Sequence, residues 1–381
     1  MLFKDVIGNE LVKARLIDSV KGNRISHAQL FLGPEGSTKL AAALAYARFV
    51  ACTDRGEMDS CGKCPSCKKY NQLIHPDLHF VYPVVKTKKF ANPVSDDFIK
   101  EWRSSILENP YINLSEWYDI IGAENIQGSI YAQESQAIIR KLNLKTFEAE
   151  YKVMIIWMPE KMNVTAANKL LKLLEEPPAK TLFILVAEDD EAIISTIRSR
   201  VQLVKFTKFS ETDLSQLLRL KFGNENSEIE TAVKLASGNY SIASAILKGN
   251  LSSNEYFENF ATLMRLCYTR KVPETVAWVD TFSAMGREQL KGFFEYALRI
   301  IRDSFILNRA GSGVPISLTT SEMNFASKFS PFIHEVNIQG INKEFQTAYF
   351  HIERNGYSKI VLLDMALNLM KLLKLTNVPA E

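Results

Sequence analysis

Five short apolar runs punctuate the first 207 residues: AQLFLG at 28–33, HFVYPVV at 79–85, KVMIIW at 152–157, TLFILVAE at 181–188 and VQLVKF at 201–206. Short runs of this kind, rich in branched and aromatic side chains, predict strands buried on both faces. Between them apolar positions return at helical spacing. NVTAANKLLKLLEE, for example, opens on the capping residue Asn163 and stops at Pro177 and Pro178. Strands alternating with helices predict a mostly parallel sheet covered on both sides. After residue 207 the strand pattern ends and helical periodicity continues. The chain therefore divides into an α/β domain at 1–207, a small helical unit at 208–250 and a larger helical unit at 251–381. NRAGSGVPISLTT, at 308–320, predicts a loop joining two helices of the last unit.

One stretch breaks the alternation. Residues 86–128 hold two helical candidates, SDDFIKEWRSSIL and LSEWYDII, punctuated by Pro93 and Pro110, and read as an insertion in the α/β domain. Its aromatics Trp102, Trp117 and Tyr118 suit the private core of a small helical excursion; a partner patch is the other reading.

Composition narrows the class. At 381 residues the chain is long for a single hydrophobic core. A net charge of +3 is too small to drive nucleic-acid or membrane binding by electrostatics alone, so any DNA contact has to be local or shared. The opening MLFKDVIGNE has no apolar signal region, and LAAALAYARFVA at 40–51 is about half a bilayer span and carries Arg48. Both point to a cytoplasmic protein.

Two motifs carry chemistry. Cys52, Cys61, Cys64 and Cys67 are spaced C-x8-C-x2-C-x2-C, with Gly56, Gly62 and Pro65 supplying turns. Four thiolates so placed suit a closed tetrahedral Zn²⁺ site, structural because no coordination position stays open. An iron–sulfur cluster and free thiols are the alternatives. His75 and His79 read as loop or strand residues, and Cys267 as core. The second motif, GPEGSTKL at 33–40, follows the first strand as a phosphate loop would. Gly33, Gly36 and Lys39 fit a nucleotide-binding loop, but Thr38 stands where its second glycine belongs and Leu40 where its metal-binding hydroxyl belongs.

FKDVIGNELVKARL, ISHAQLFLGPEG, the four-cysteine insert, ANKLLKLLEEPP and STIRSRVQ occur in that order. Together they resemble the clamp-loader branch of the AAA+ ATPases, as found in bacterial DNA polymerase III. The likeness covers about residues 1–207, and HIERNGYSKIVLLDMAL resembles the family's last helices. It implies a RecA-like AAA+ domain, a helical lid at 208–250 and a helical collar at 251–381.

In active relatives the strand matching VMIIW is followed by Asp-Glu, which handles Mg²⁺ and the attacking water. Here Trp157 and Met158 stand at those places, and Ser241 stands where active relatives put an arginine. Glu160 lies past the strand end with no accompanying Asp, so it is no substitute. The resemblance thus implies no hydrolysis. For Lys39 it leaves two readings open: weak nucleotide binding, or a solvated helix residue. STIRSRVQ is similar to the segment that carries the family's arginine finger, which acts on the neighbour's ATP. Arg200 is the residue assigned to that role, with Arg198 the weaker candidate; two surface arginines are the plain alternative. The implied partners are the gamma/tau and delta subunits in a five-membered ring, with the sliding clamp and primed DNA reached through the ring and no membrane. The rivals are an ATP-hydrolysing gamma/tau-type subunit and a scaffold outside the clamp loader.

Overall fold

The apolar runs become five parallel strands: β1 (Ala28–Leu32), β2 (Leu78–Val81), β3 (Lys152–Trp157), β4 (Thr181–Ala187) and β5 (Gln202–Lys205). In the computed structural model they form one sheet in the order β2-β3-β4-β1-β5. Residues 1–123, 128–224, 228–248, 253–310, 318–354 and 356–375 are described. The register sets Leu30 of β1 beside Leu185 of β4 and Leu203 of β5. Every residue of β3 and β4 is buried, as expected of inner parallel strands covered on both faces. β2 stops early, after Val81. Pro83 follows at once and has no N–H for a ladder, and Val84 pairs instead with Ser129 in an isolated antiparallel bridge.

The helices of this part are α1 (Glu10–Lys21), α2 (Lys39–Ala51), α3 (Pro65–Asn71), α4 (Ile99–Glu108), α5 (Leu114–Ile120), α6 (Glu134–Asn143), α7 (Val164–Glu175), α8 (Ser195–Arg198) and α9 (Glu211–Phe222). Alternation along the strands sorts them onto two faces. Leu30, Met154, Ile156 and Leu185 pack with Ile138 of α6, Leu170 of α7 and Ile197 of α8. On the other face Phe31 lies against Tyr46 of α2, whose hydroxyl accepts from Gln29 at 3.0 Å. Asn163 caps α7, its side chain accepting from the Thr165 N–H, and the helix ends just before Pro177.

Among the described residues the insertion's tryptophans pack onto the sheet and do not form a private core. Trp102 of α4 stacks on Tyr82 with ring centres 4.1 Å apart, meets Trp117 of α5 at 5.2 Å and reaches Trp157 of β3 at 5.2 Å. The Trp117 indole N–H donates to the Pro83 carbonyl at 2.8 Å. Trp102 and Trp117 are fully buried, so neither belongs to a surface patch. Aromatic area this large is best buried against the nearest apolar surface, and here that is the β2 edge of the sheet.

By contact the chain separates into two units, Met1–Ile229 with Gly238–Ser244, and Glu230–Ser237 with Ala245–Glu381. α10 (Ile229–Ala236) and α11 (Tyr240–Leu247) span the crossings between them in sequence. The rest of the second unit is α12 (Ser253–Thr269), α13 (Val272–Phe282), α14 (Arg287–Ala310), α15 (Thr320–Phe329), α16 (Glu335–Glu353) and α17 (Ser358–Leu372). Phe260, Phe293, Phe294 and Phe345 lie in its core together with Cys267. The middle of the expected loop at 308–320 lies outside the described residues, but its start continues α14 to Ala310. Among the described residues no helix is long and apolar enough to cross a membrane.

Candidate functional site

The glycine loop leaves the end of β1 and enters α2, and its backbone is already engaged. Gly33 donates to the Ala187 carbonyl at 3.2 Å, and a Cβ on Gly33 would stand 2.9 Å from Phe206. Gly36 has φ +66°, and a Cβ there would come within 2.0 Å of Asn239 Oδ1, so only glycine fits. Its carbonyl accepts from the Tyr240 N–H at 3.2 Å. Thr38 is fully buried and its hydroxyl accepts from Asn9 Nδ2 at 3.1 Å.

Lys39 is not a solvated helix residue. Its ammonium donates to the Pro34 carbonyl at 2.9 Å and pairs with Glu188 at 3.0 Å, with the side chain only 5% exposed. Glu188 follows β4, and its N–H donates to Glu160 Oε1 at 2.8 Å. Burial pushes the Glu160 carboxyl up to about 7, against peptide N–H donors led by that of Glu188 which lower it, and the Glu188 charge adds a smaller push upward. Lys39, Glu188 and Glu160 thus form a chain across the strand ends. Leu40, next to Lys39 in sequence, and Trp157, at the end of β3, are buried, and neither offers a side-chain oxygen to a hard cation.

The insertion also reaches this loop. Asn113 Nδ2 donates to Glu35 of the loop at 3.3 Å. Tyr111 is buried with its ring 4.9 Å from Tyr240 and 5.8 Å from Phe209. Lys221 donates to the Glu108 carbonyl at 3.1 Å and stands over the Tyr240 ring. The segment 108–113 therefore lies across the loop and the start of α11.

The four cysteines converge from three pieces of chain: Cys52 closes α2, Cys61 sits in the following turn, and Cys64 and Cys67 open α3. Their sulfurs all lie within 4.8 Å of one another, with pairs at 3.6, 3.9 and 4.0 Å. A tetrahedral zinc with Zn–S near 2.3 Å has edges of about 3.8 Å, so the set fits such an ion. Peptide N–H groups point at the sulfurs, Cys61 at Cys52 (3.3 Å), Cys64 at Cys61 (3.3 Å) and Cys67 at Cys64 (3.4 Å). Burial pushes the Cys52 thiol up to about 12. At Cys64 burial acts the same way but is outweighed by N–H donors led by Cys67, which hold it at about 6. Donors aimed at sulfur favour thiolate, the form a metal takes. His75 is in a loop and His79 in β2; among the described residues neither joins the metal-competent group.

Arg200 follows α8. Its guanidinium pairs with Glu175 at 2.7 Å, and its Nη1 donates to the Thr196 carbonyl at 3.0 Å, while the side chain stays 37% exposed. Arg198 is looser, 3.5 Å from Asp190 and 46% exposed. Sequence reasoning missed Glu188, Asn239, Tyr111 and Asn113, all brought to the loop from distant positions with no local motif.

A parallel sheet with a glycine loop running from an inner strand into a buried helix defines the class, a phosphate-loop type of α/β module joined to a helical region. The chain belongs to the family described as DNA polymerase III, delta subunit, whose model matches residues 8–210. It is 29% identical over 240 residues to the DNA polymerase III subunit delta' of Bacillus subtilis, 60% of each chain. Over 236 residues it is 26% identical to the tau/gamma subunit of Haemophilus influenzae, covering 61% of this chain and 28% of that one. The delta' subunit of Escherichia coli K12 is 23% identical over 294 residues, 76% of this chain and 73% of that one. The match thus spans less than two thirds of the first two relatives.

Proposed function

We propose that this chain occupies the delta prime position of a bacterial clamp loader: an AAA+ subunit that does not hydrolyse ATP and presents Arg200 to the ATP held by a neighbouring motor subunit. The Lys39–Glu188 pair carries the reading. The cation meant for a nucleotide's phosphates is neutralised by a carboxylate of the same chain, at the place where Leu40 and Trp157 leave no ligand for Mg²⁺. Tyr111 and Asn113 support it by covering the loop. Partners on this reading are gamma/tau and delta in a five-membered ring, with the helices of 251–381 in a shared collar and the sliding clamp and primed DNA reached through the ring. The cytoplasm, where thiols stay reduced, suits the four cysteines.

The test is reconstitution. The purified chain is expected to show no ATP turnover above background, yet to assemble with motor and delta subunits and raise their turnover in the presence of clamp and primed DNA. Leu40→Ser alone is expected to restore nothing, because Trp157 and the Lys39–Glu188 pair remain. The similarity to tau/gamma subunits keeps one rival in view, an ATP-hydrolysing subunit. Turnover by the chain alone would favour that rival, and failure to assemble would favour a scaffold outside the clamp loader.

The four cysteines we assign to structural zinc. Elemental analysis is expected to give one zinc per chain, lost together when any one of Cys52, Cys61, Cys64 or Cys67 becomes serine. Iron in its place would overturn the assignment.

A further inference from the structure

We propose that Arg48 is the counter-charge of the metal centre held by Cys52, Cys61, Cys64 and Cys67, and that metal occupancy thereby positions the segment at residues 2–5 on α2. This inference rests on the metal reading just given. Arg48 lies in the last turn of a helix whose every residue is buried, and is itself 3% exposed. Its Nη1 donates to the Met1 carbonyl at 3.2 Å and to Asn71 Oδ1 at 2.7 Å, both neutral acceptors. Its Nε is buried with no hydrogen-bond partner among the described residues. A guanidinium stays charged at any physiological pH, so a buried one requires an anion nearby.

The thiolate cluster is that anion. A Cβ built on Gly62, between the ligands Cys61 and Cys64, would lie 3.5 Å from Arg48 Nη2, which places the guanidinium against the cysteine turn. Zn²⁺ with four thiolates carries a formal charge near −2 and satisfies Arg48. Four protonated thiols would leave it uncompensated.

The same turn grips the start of the chain. Asp59, between Cys52 and Cys61, accepts from the Phe3 N–H at 3.1 Å and the Lys4 N–H at 3.0 Å, and Phe3 meets Phe49 of α2 edge-on at 5.8 Å. Closing the 52–61 loop on a metal therefore fixes Arg48 and Asp59 together. Arg48 is a positioning residue, acting on the metal through charge and on residues 2–5 through the shared turn.

The experiment is zinc competition against a chelator, with elemental analysis, on the full chain as wild type, Arg48→Met and Arg48→Lys. Arg48→Met keeps the apolar stem and removes the charge; it is expected to weaken zinc about 10- to 100-fold, the usual effect of losing a group that supports metal ligands. Arg48→Lys should recover most of that loss. In the metal-free chain the sign should reverse, Arg48→Met being no less stable than wild type, because an uncompensated charge has gone. Equal zinc affinity in wild type and Arg48→Met, or equal destabilisation with and without metal, would overturn the proposal. Should Arg48→Met not fold, amide exchange of wild type decides. Stripping zinc is expected to release the protected amides of Phe3 and Lys4, and unchanged protection would refute the link. A wild-type chain without metal fails the metal reading itself, and the inference with it.

Discussion

In a ring assembled from this chain with motor and delta subunits, Arg200→Ala is expected to lower stimulated ATP turnover at the adjoining site about a thousandfold, with assembly intact. An arginine finger acts by bringing a planar, permanently charged fork to the oxygens of a transferring phosphoryl group. Arg200 has the exposure this requires. Its hold on Glu175 is a surface ion pair at 2.7 Å, with the two side chains 37% and 47% exposed, and such pairs are worth under about 1 kcal/mol. Exchanging Glu175 for a phosphate therefore costs little. Glu175→Ala should leave turnover near wild type, and Arg198→Ala should lower it far less than Arg200→Ala. Single-turnover kinetics on rings with one active motor site would isolate the effect. If Arg200→Ala rings turn over as wild type does, Arg200 only anchors the α8 turn.

Trp102→Ala is expected to cost about 3–5 kcal/mol of stability, the range for deleting a large buried aromatic. Its ring is fully buried among Tyr82, Trp117 and Trp157. No small shift of the loop at 86–98 could fill the space, because three rings from separate pieces of chain would have to move together. Ile120→Ala, at a position 47% exposed in the same insertion, should change stability by no more than about 0.5 kcal/mol. Urea unfolding of the two variants makes the comparison. Equal, small losses would mean that the insertion is loosely attached.

Much of the fold was legible because its signals are local. KVMIIW gives β3 residue for residue, and Asn163 with Pro177 brackets α7. HFVYPVV overstated β2 because apolarity alone does not register a proline's missing N–H. The four cysteines were legible because their spacing is itself the constraint. What stayed hidden acts at long range: Lys39 meets Glu188 from 149 positions away, and Trp102 reaches Trp157 across the sheet edge. No periodicity marks such pairs. Arg48 was visible as the charge inside the apolar run at 40–51, but only the fold shows what that charge faces.

Trp157 and Trp102 bind each other's positions. With Trp102 packed against it, a carboxylate at 157 would be an unpaired charge buried among aromatic rings, and removing the insertion alone would strip an indole bare. Mutual packing of this kind acts as a latch: neither position accepts a change unless the other changes with it.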